Sequence, residues 1–159
     1  MKKTLLIVAA VLGLSLAASA QPKAIGIRGF FEQWQLSYEH YLGDPNFLEF
    51  DLGMSRYANS NTGFDLVGTY NFMLARPDFT PRGDWGLYLG PGAAFGTYYS
   101  YNDDKEKGEN KAYFGLVAQL GLEYTFWFPL QLSVDVRPLI PFGDRKFYMY
   151  PALSVRYSF

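Results

Sequence analysis

The sequence contains no cysteine and a single histidine, His40. Without cysteine there is neither a disulfide framework nor a lipid-bearing N-terminal Cys, and no metal-ligand spacing stands out elsewhere, so no cofactor is expected. Charge is nearly balanced, with 14 Lys and Arg against 15 Asp and Glu. It forms no basic patch or run, and nucleic acid is therefore not an expected partner. After residue 20 no apolar run approaches the roughly 20 residues that a membrane-spanning helix needs. Mean hydropathy is close to zero, and helices are not signalled. Hydropathy alone would describe a soluble chain, but membrane strands hide from hydropathy because only alternate residues face lipid.

What is present begins with MKKTLLIVAAVLGLSLAASA. Lys2 and Lys3, an apolar run from Leu5 to Leu16 and the small-residue pattern Ala18-Ser19-Ala20 predict a secretory signal peptide over residues 1–20, cleaved after Ala20. Residues 21–159 are then enough for one domain. Aromatics at 19% and 16 glycines point to many strands and tight turns.

Eight alternating segments follow, separated by turn chemistry. The first, Ala24 to Phe30, sets Ile25 and Ile27 against Gly26 and Arg28. After it the apolar parity switches to Trp34, Leu36 and Tyr38, which predicts a tight turn. LGDPNF makes the next turn, with Asp44 and Pro45 suited to it. The third strand, Phe47 to Tyr57, carries Leu48, Phe50, Leu52 and Met54 on one face and Glu49, Asp51 and Gly53 on the other. The fourth, Phe64 to Leu74, opposes Phe64, Leu66 and Phe72 to Asp65, Thr69 and Asn71. Beyond RPDFTPRGD the fifth begins at Trp85, alternating Leu87, Leu89 and Phe95 with Gly86, Tyr88, Gly90 and Gly96; Pro91 is read as a bulge. The longest loop, SYNDDKEKGENK, leads to the sixth strand, Ala112 to Phe126. The seventh, Leu130 to Arg137, and the eighth, in YPALSVRYSF, complete the set.

The polar faces gather Arg28, Glu39, Glu49, Asp51, Asp65, Glu123, Asp135, Arg137 and Arg156. Eight strands closed around the apolar faces would enclose too little room for so many Leu, Phe, Trp and Tyr side chains. Two soluble sheets could bury such faces against each other, but the even strand count, the alternation of short turns with longer loops, and Trp34, Trp85 and Trp127 near strand ends argue for a membrane barrel. Eight crossings of roughly 10 residues use about 80 and leave enough for the visible loops. The expectation is all-β: an eight-stranded antiparallel up-and-down transmembrane barrel, apolar outside and polar inside.

The closing residues Leu153, Val155, Tyr157 and Phe159, at two-residue spacing, resemble the C-terminal assembly signal of bacterial outer-membrane barrels. The stretches AIGIRG, LSYEHYLG, FLEFDLG, GFDLVGTYNF, LYLGPGAAFG, GLVAQLGLEYTFWFPLQLSVDVRP and ALSVRYSF resemble a family of small Bacteroides-type outer-membrane β-barrel proteins, similar in size to outer membrane protein X and the barrel domain of outer membrane protein A. The resemblance implies an outer-membrane address, contact with outer-membrane lipids and handling by the barrel assembly machinery. It brings no catalytic residues with it.

Inside such a barrel, charges need partners. Arg28, Glu39, Glu49, Asp51, Glu123, Asp135, Arg137 and Arg156 are therefore expected to cross-link the lumen as a plug. Arg28 is placed diagonal to Glu39, Glu39 opposite Glu49, and Arg156 near Arg28 with Asp135 beside it. The pair Glu39 and Glu49 could in principle do acid and base work, but ion pairing is the stronger reading. His40 falls on the outward face, away from any serine or acid that would make a catalytic set. GPGAAFG lacks the glycine spacing and the following helix of a phosphate loop. Two roles remain: a non-catalytic barrel that stabilises the envelope or presents its outer loops to a partner the sequence does not name, or a barrel that passes small apolar molecules or modifies lipid.

Overall fold

The computed structural model describes residues 23–30, 33–43, 45–57, 61–102, 107–142 and 147–159. The expected signal peptide, residues 1–20, and its cleavage point lie outside the described residues. Eight strands are present: β1 (Lys23–Phe30), β2 (Gln33–Tyr41), β3 (Phe47–Tyr57), β4 (Asn61–Ala75), β5 (Gly83–Asn102), β6 (Lys107–Phe126), β7 (Gln131–Phe142) and β8 (Tyr148–Ser158). Each pairs with the next, and β8 pairs antiparallel with β1, so the sheet closes as a barrel in chain order. At one end of this seam the Lys23 N–H donates to the Phe159 carbonyl at 2.9 Å and the Phe159 N–H to the Lys23 carbonyl at 2.8 Å. A closed ladder leaves no edge strand, the condition for placing a sheet in hydrocarbon.

Burial follows the two-residue period and inverts the rule for soluble cores. In β2, Gln33, Gln35, Ser37 and Glu39 are buried while Trp34 and Leu36 are exposed. In β7, Gln131, Ser133, Asp135 and Arg137 are buried between exposed Leu132 and Val134. The largest fully buried side chains are Arg28, Arg137 and Arg156. A sandwich with its apolar faces packed together would show the reverse.

Three details differ from the sequence expectation or sharpen it. Phe30 pairs with Gln33, so the parity switch falls between β1 and β2, at residues 31–32, which lie outside the described residues. Strands β5 and β6 run far into the segment expected as the longest loop, pairing through Asn102 and Lys107. The apolar alternation that marks a strand ends where apolar surroundings end, whereas backbone pairing needs no particular side chain and continues. For the same reason β4 begins at Asn61, whereas β7 runs on to Phe142 through an apolar stretch, Leu139 and Ile140, whose strand character is masked in the sequence by Pro138 and Pro141. Finally, Pro91 is not a bulge: it holds register with Ala118, and the shift between β4 and β5 lies between Met73 and Ala75. Lacking an N–H, Pro91 interrupts the β4 ladder instead, which runs to Thr69 and Gly92 and resumes at Phe72 and Leu89.

Glycine is required where the barrel is tightest. A Cβ on Gly121 would stand 2.2 Å from the Tyr88 ring, so a fully buried tyrosine occupies the space that this glycine leaves open. In the turn after β2, Gly43 takes φ of 94°, a conformation that side chains resist, and the turn closes with Leu42 N–H donating to the Asn46 carbonyl at 2.9 Å. Below, the end of the barrel carrying the segments 42–46, 76–82 and 127–130 is called the turn end.

Candidate functional site

The lumen site is built by the inward positions of six strands. Its centre is Glu49 on β3, fully buried. Glu49 Oε1 stands 3.1 Å from an Arg137 nitrogen on β7, 3.0 Å from one of Arg156 on β8, and 3.9 Å from Arg28 Nε on β1. Its other oxygen accepts from Gln119 Nε2 on β6 at 2.9 Å. Asp51, two residues on and so on the same face, lies 2.6 Å from Arg137. Arg28 forms a bidentate pair with Asp135, its Nε donating at 3.1 Å and its second nitrogen also donating, and gives a further bond to Gln35 at 2.8 Å. Bidentate geometry of this kind uses the planar guanidinium fully. The ring of Tyr150 lies 5.9 Å from the same guanidinium.

Arg156 ties the remaining wall. It donates to Ser37 at 3.0 Å and Ser133 at 2.8 Å, and stands 2.9 Å from Glu39 Oε1 as an ion pair. Glu39 pairs directly with Glu49 across β2 and β3, so one guanidinium spans two facing carboxylates. Both are sealed from solvent and stand within 3.0 Å of an Arg156 nitrogen, an arrangement suited to cross-linking and unsuited to moving protons to or from a substrate.

Two placements read from the sequence are corrected. Arg28 is not diagonal to Glu39: the short first turn sets Arg28 opposite Gln35 and leaves Glu39 opposite Ala24. Asp135 does not sit beside Arg156, which pairs with Gln131; it pairs with Ala152 and reaches Arg28 instead. Of the eight charges expected in the lumen, Arg28, Glu39, Glu49, Asp51, Asp135, Arg137 and Arg156 come together. Glu123 stands on the turn-end side of this cluster, accepting from Tyr41 at 3.1 Å and Gln131 at 3.0 Å. The neutral members Gln35, Ser37, Gln119 and Ser133 were not singled out from the sequence. Their signal was inward parity alone, and only cross-lumen geometry selects them from the other inward residues.

The outer surface is apolar. Leu153, Val155, Tyr157 and Phe159 are all more than half exposed, and Tyr157 and Phe159 stack with centroids 6.1 Å apart. At the turn end Phe79, Trp85, Tyr124, Phe126, Phe128 and Trp127 form a continuous chain of ring contacts between 4.6 and 6.1 Å, while Trp34 lies exposed toward the other end. His40 faces outward, with the Tyr38 hydroxyl 3.2 Å from its Nδ1.

No protein-family model matches the chain, and no curated protein matches it. Among solved structures it is similar to the N-terminal β-barrel domain of Pseudomonas aeruginosa OprF, at 18% identity and a TM-score of 0.62, over 87% of this chain and 96% of that one. The likeness is one of fold.

Proposed function

We propose that residues 21–159 are a non-catalytic integral outer-membrane barrel of the small Bacteroides-type kind that the sequence resembles, delivered by the signal peptide 1–20 and plugged by its own ion-pair network. The observation that carries this reading is the inverted burial. Three arginines are the largest fully buried side chains, while Ile27, Leu36, Met54, Leu116 and Val155 lie exposed on the outside. Water would punish that surface and hydrocarbon rewards it. Aromatics gathered at the turn end fit an interfacial girdle. Leu153, Val155, Tyr157 and Phe159 present the outward face on which the assembly machinery would read the final strand. With the lumen centre filled by charge, the role is structural or lies in the outer loops; passage of apolar molecules would need a path that avoids the network.

Membrane fractionation tests the proposal. The protein is expected in the outer-membrane fraction, beginning at Gln21 and resistant to carbonate extraction. Recovery in the soluble periplasmic fraction would overturn it.

A further inference from the structure

The apolar belt around the barrel is uneven in height. A strand rises about 3.3 Å per residue and leans roughly 40° in a barrel, so each residue adds about 2.5 Å of height. Outward apolar residues run from Phe114 to Phe126 on β6 and from Met149 to Phe159 on β8, but only from Ile25 to Phe30 on β1 and from Trp34 to Leu42 on β2. These spans are about 30 and 25 Å against about 12 and 20 Å, where the apolar band of an outer-membrane barrel is near 25 Å.

The step is concentrated at the seam. Leu153, Gly29 and Trp34 share one register line across β8, β1 and β2. Among the described residues β1 pairs with β8 no further than this line, whereas β8 runs on through Pro151 and Met149 to Tyr148, about 12 Å higher. Phe142, further along β7 than Val134, the partner of Leu153, stands about 10 Å above Trp34 once the lean of the register line is included. Tilting a rigid barrel lifts one side smoothly and cannot remove a drop between neighbouring strands about 5 Å apart.

Two residues mark the low level as an interface. The Trp34 ring lies over Gly29, where a Cβ would stand 2.9 Å from it, and tryptophan favours the headgroup level. Lys23 and Phe159 exchange both backbone bonds, so in an antiparallel ladder the pattern recurs at every second position, Gly29 with Leu153 included. The next β8 residue to turn its backbone toward β1 is Pro151, which has no N–H to leave bare. Among the described residues β1 offers no ladder partner to the Pro151 carbonyl or to the Met149 backbone beyond it. Hydrocarbon penalises such groups, while headgroups and water satisfy them.

We propose that the barrel thins the bilayer beside the β8–β1 seam, drawing the headgroup layer on the side opposite the turn end down to the level of Trp34 and Pro151. The partner is a lipid surface, and the inference rests on the membrane reading given above. It holds whichever compartment that side faces.

The test places a depth reporter on each side of the step, in the folded barrel reconstituted into phosphatidylcholine vesicles brominated either near the headgroup or near the chain end. Trp85→Phe with Trp127→Phe leaves Trp34 as the only tryptophan. The second reporter adds Trp34→Phe and Phe142→Trp to that chain. Fluorescence quenching by the two lipids gives each depth, and the depths are expected to agree within about 5 Å, against the ~10 Å that separates the two positions along the barrel. A Trp34 depth more than about 5 Å below that of the Phe142→Trp reporter would mean an unbent bilayer and overturn the proposal. Absence of quenching of both reporters by either lipid would overturn the membrane reading itself, and the inference with it. Each variant is admitted only if its unboiled protein keeps the compact gel band. If the tryptophan replacements prevent folding, Trp34→Cys and Phe142→Cys in the otherwise cysteine-free chain carry nitroxides, whose access to oxygen against a water-soluble nickel chelate gives the same two depths.

Discussion

Glu39 and Glu49 face each other as a directly paired couple on β2 and β3, both fully buried, and Arg156 holds the two carboxylates apart by contacting each at about 3 Å. Neighbouring like charges in a sheet repel, so the pairing is tolerable only with a cation between them. Glu49 keeps Arg137 and Arg28 as well. Glu39 depends on Arg156 alone among the described ion pairs.

Arg156→Met should therefore strand Glu39 and lower unfolding stability by about 3–5 kcal/mol, the usual cost of removing one partner from a buried pair. Adding Glu39→Gln should recover ~1 kcal/mol or more, because the two effects are coupled. Urea unfolding of the detergent-solubilised barrel, followed by tryptophan fluorescence, measures both. Simple additivity of the two substitutions would show that Glu39 is compensated by something else.

Gly121→Ala should cost about 1–3 kcal/mol through overpacking, since its Cβ has no room beside Tyr88. Shortening Tyr88 to Val in the same chain should return part of the loss. The same unfolding experiment decides it, and an undiminished midpoint in the single variant would mean that the ring moves freely.

Planar bilayers test the plug. A lumen crossed by Arg28, Arg137, Arg156 and the carboxylates they hold should give no stable porin-sized conductance steps, because eight strands leave room for little beyond their own side chains. Reproducible large steps from the wild-type protein would contradict a filled interior.

Deleting Phe159 should reduce the fraction of chain that reaches the folded, compact band on an unboiled denaturing gel far more than Ser158→Ala does. Phe159 is exposed on the outer face and stacks on Tyr157, whereas Ser158 lines the mouth of the lumen. Matched expression of the two variants makes the comparison. Equal folded fractions would remove the terminal ring from the assembly signal.

The sequence carried the strand count and the two faces because alternation is a local property: each residue declares its side of the sheet by its parity. Glu39 opposite Glu49 was legible for the same reason, the intervening turn being short and rich in turn residues. Arg28 was misplaced relative to Glu39 because its neighbour depends on the length of the first turn, where FFEQ gives no glycine or proline to fix it. Asp135 was attached to the wrong arginine because a lumen contact crosses the barrel, and strand-by-strand parity says nothing about which inward residue lies across the diameter. The ends of β5 and β6 were hidden where both faces turn polar.

The seam between β1 and β8 joins the two extremes of the described chain, with Ala24 beside Ser158. A ring of this kind has no half-built form that is safe. Until residues 148–158 have been synthesised, β1 and β7 both offer bare hydrogen-bonding rims, and seven greasy outer faces are looking for company. Closure must wait until β8 has been made and must then bring together segments with nearly the maximum separation in the described chain, the slowest class of contact to form. The strand order thus leaves one rim of β1 unpaired until the last strand arrives. A chain cut short upstream would yield an open, adhesive sheet and never a narrower barrel.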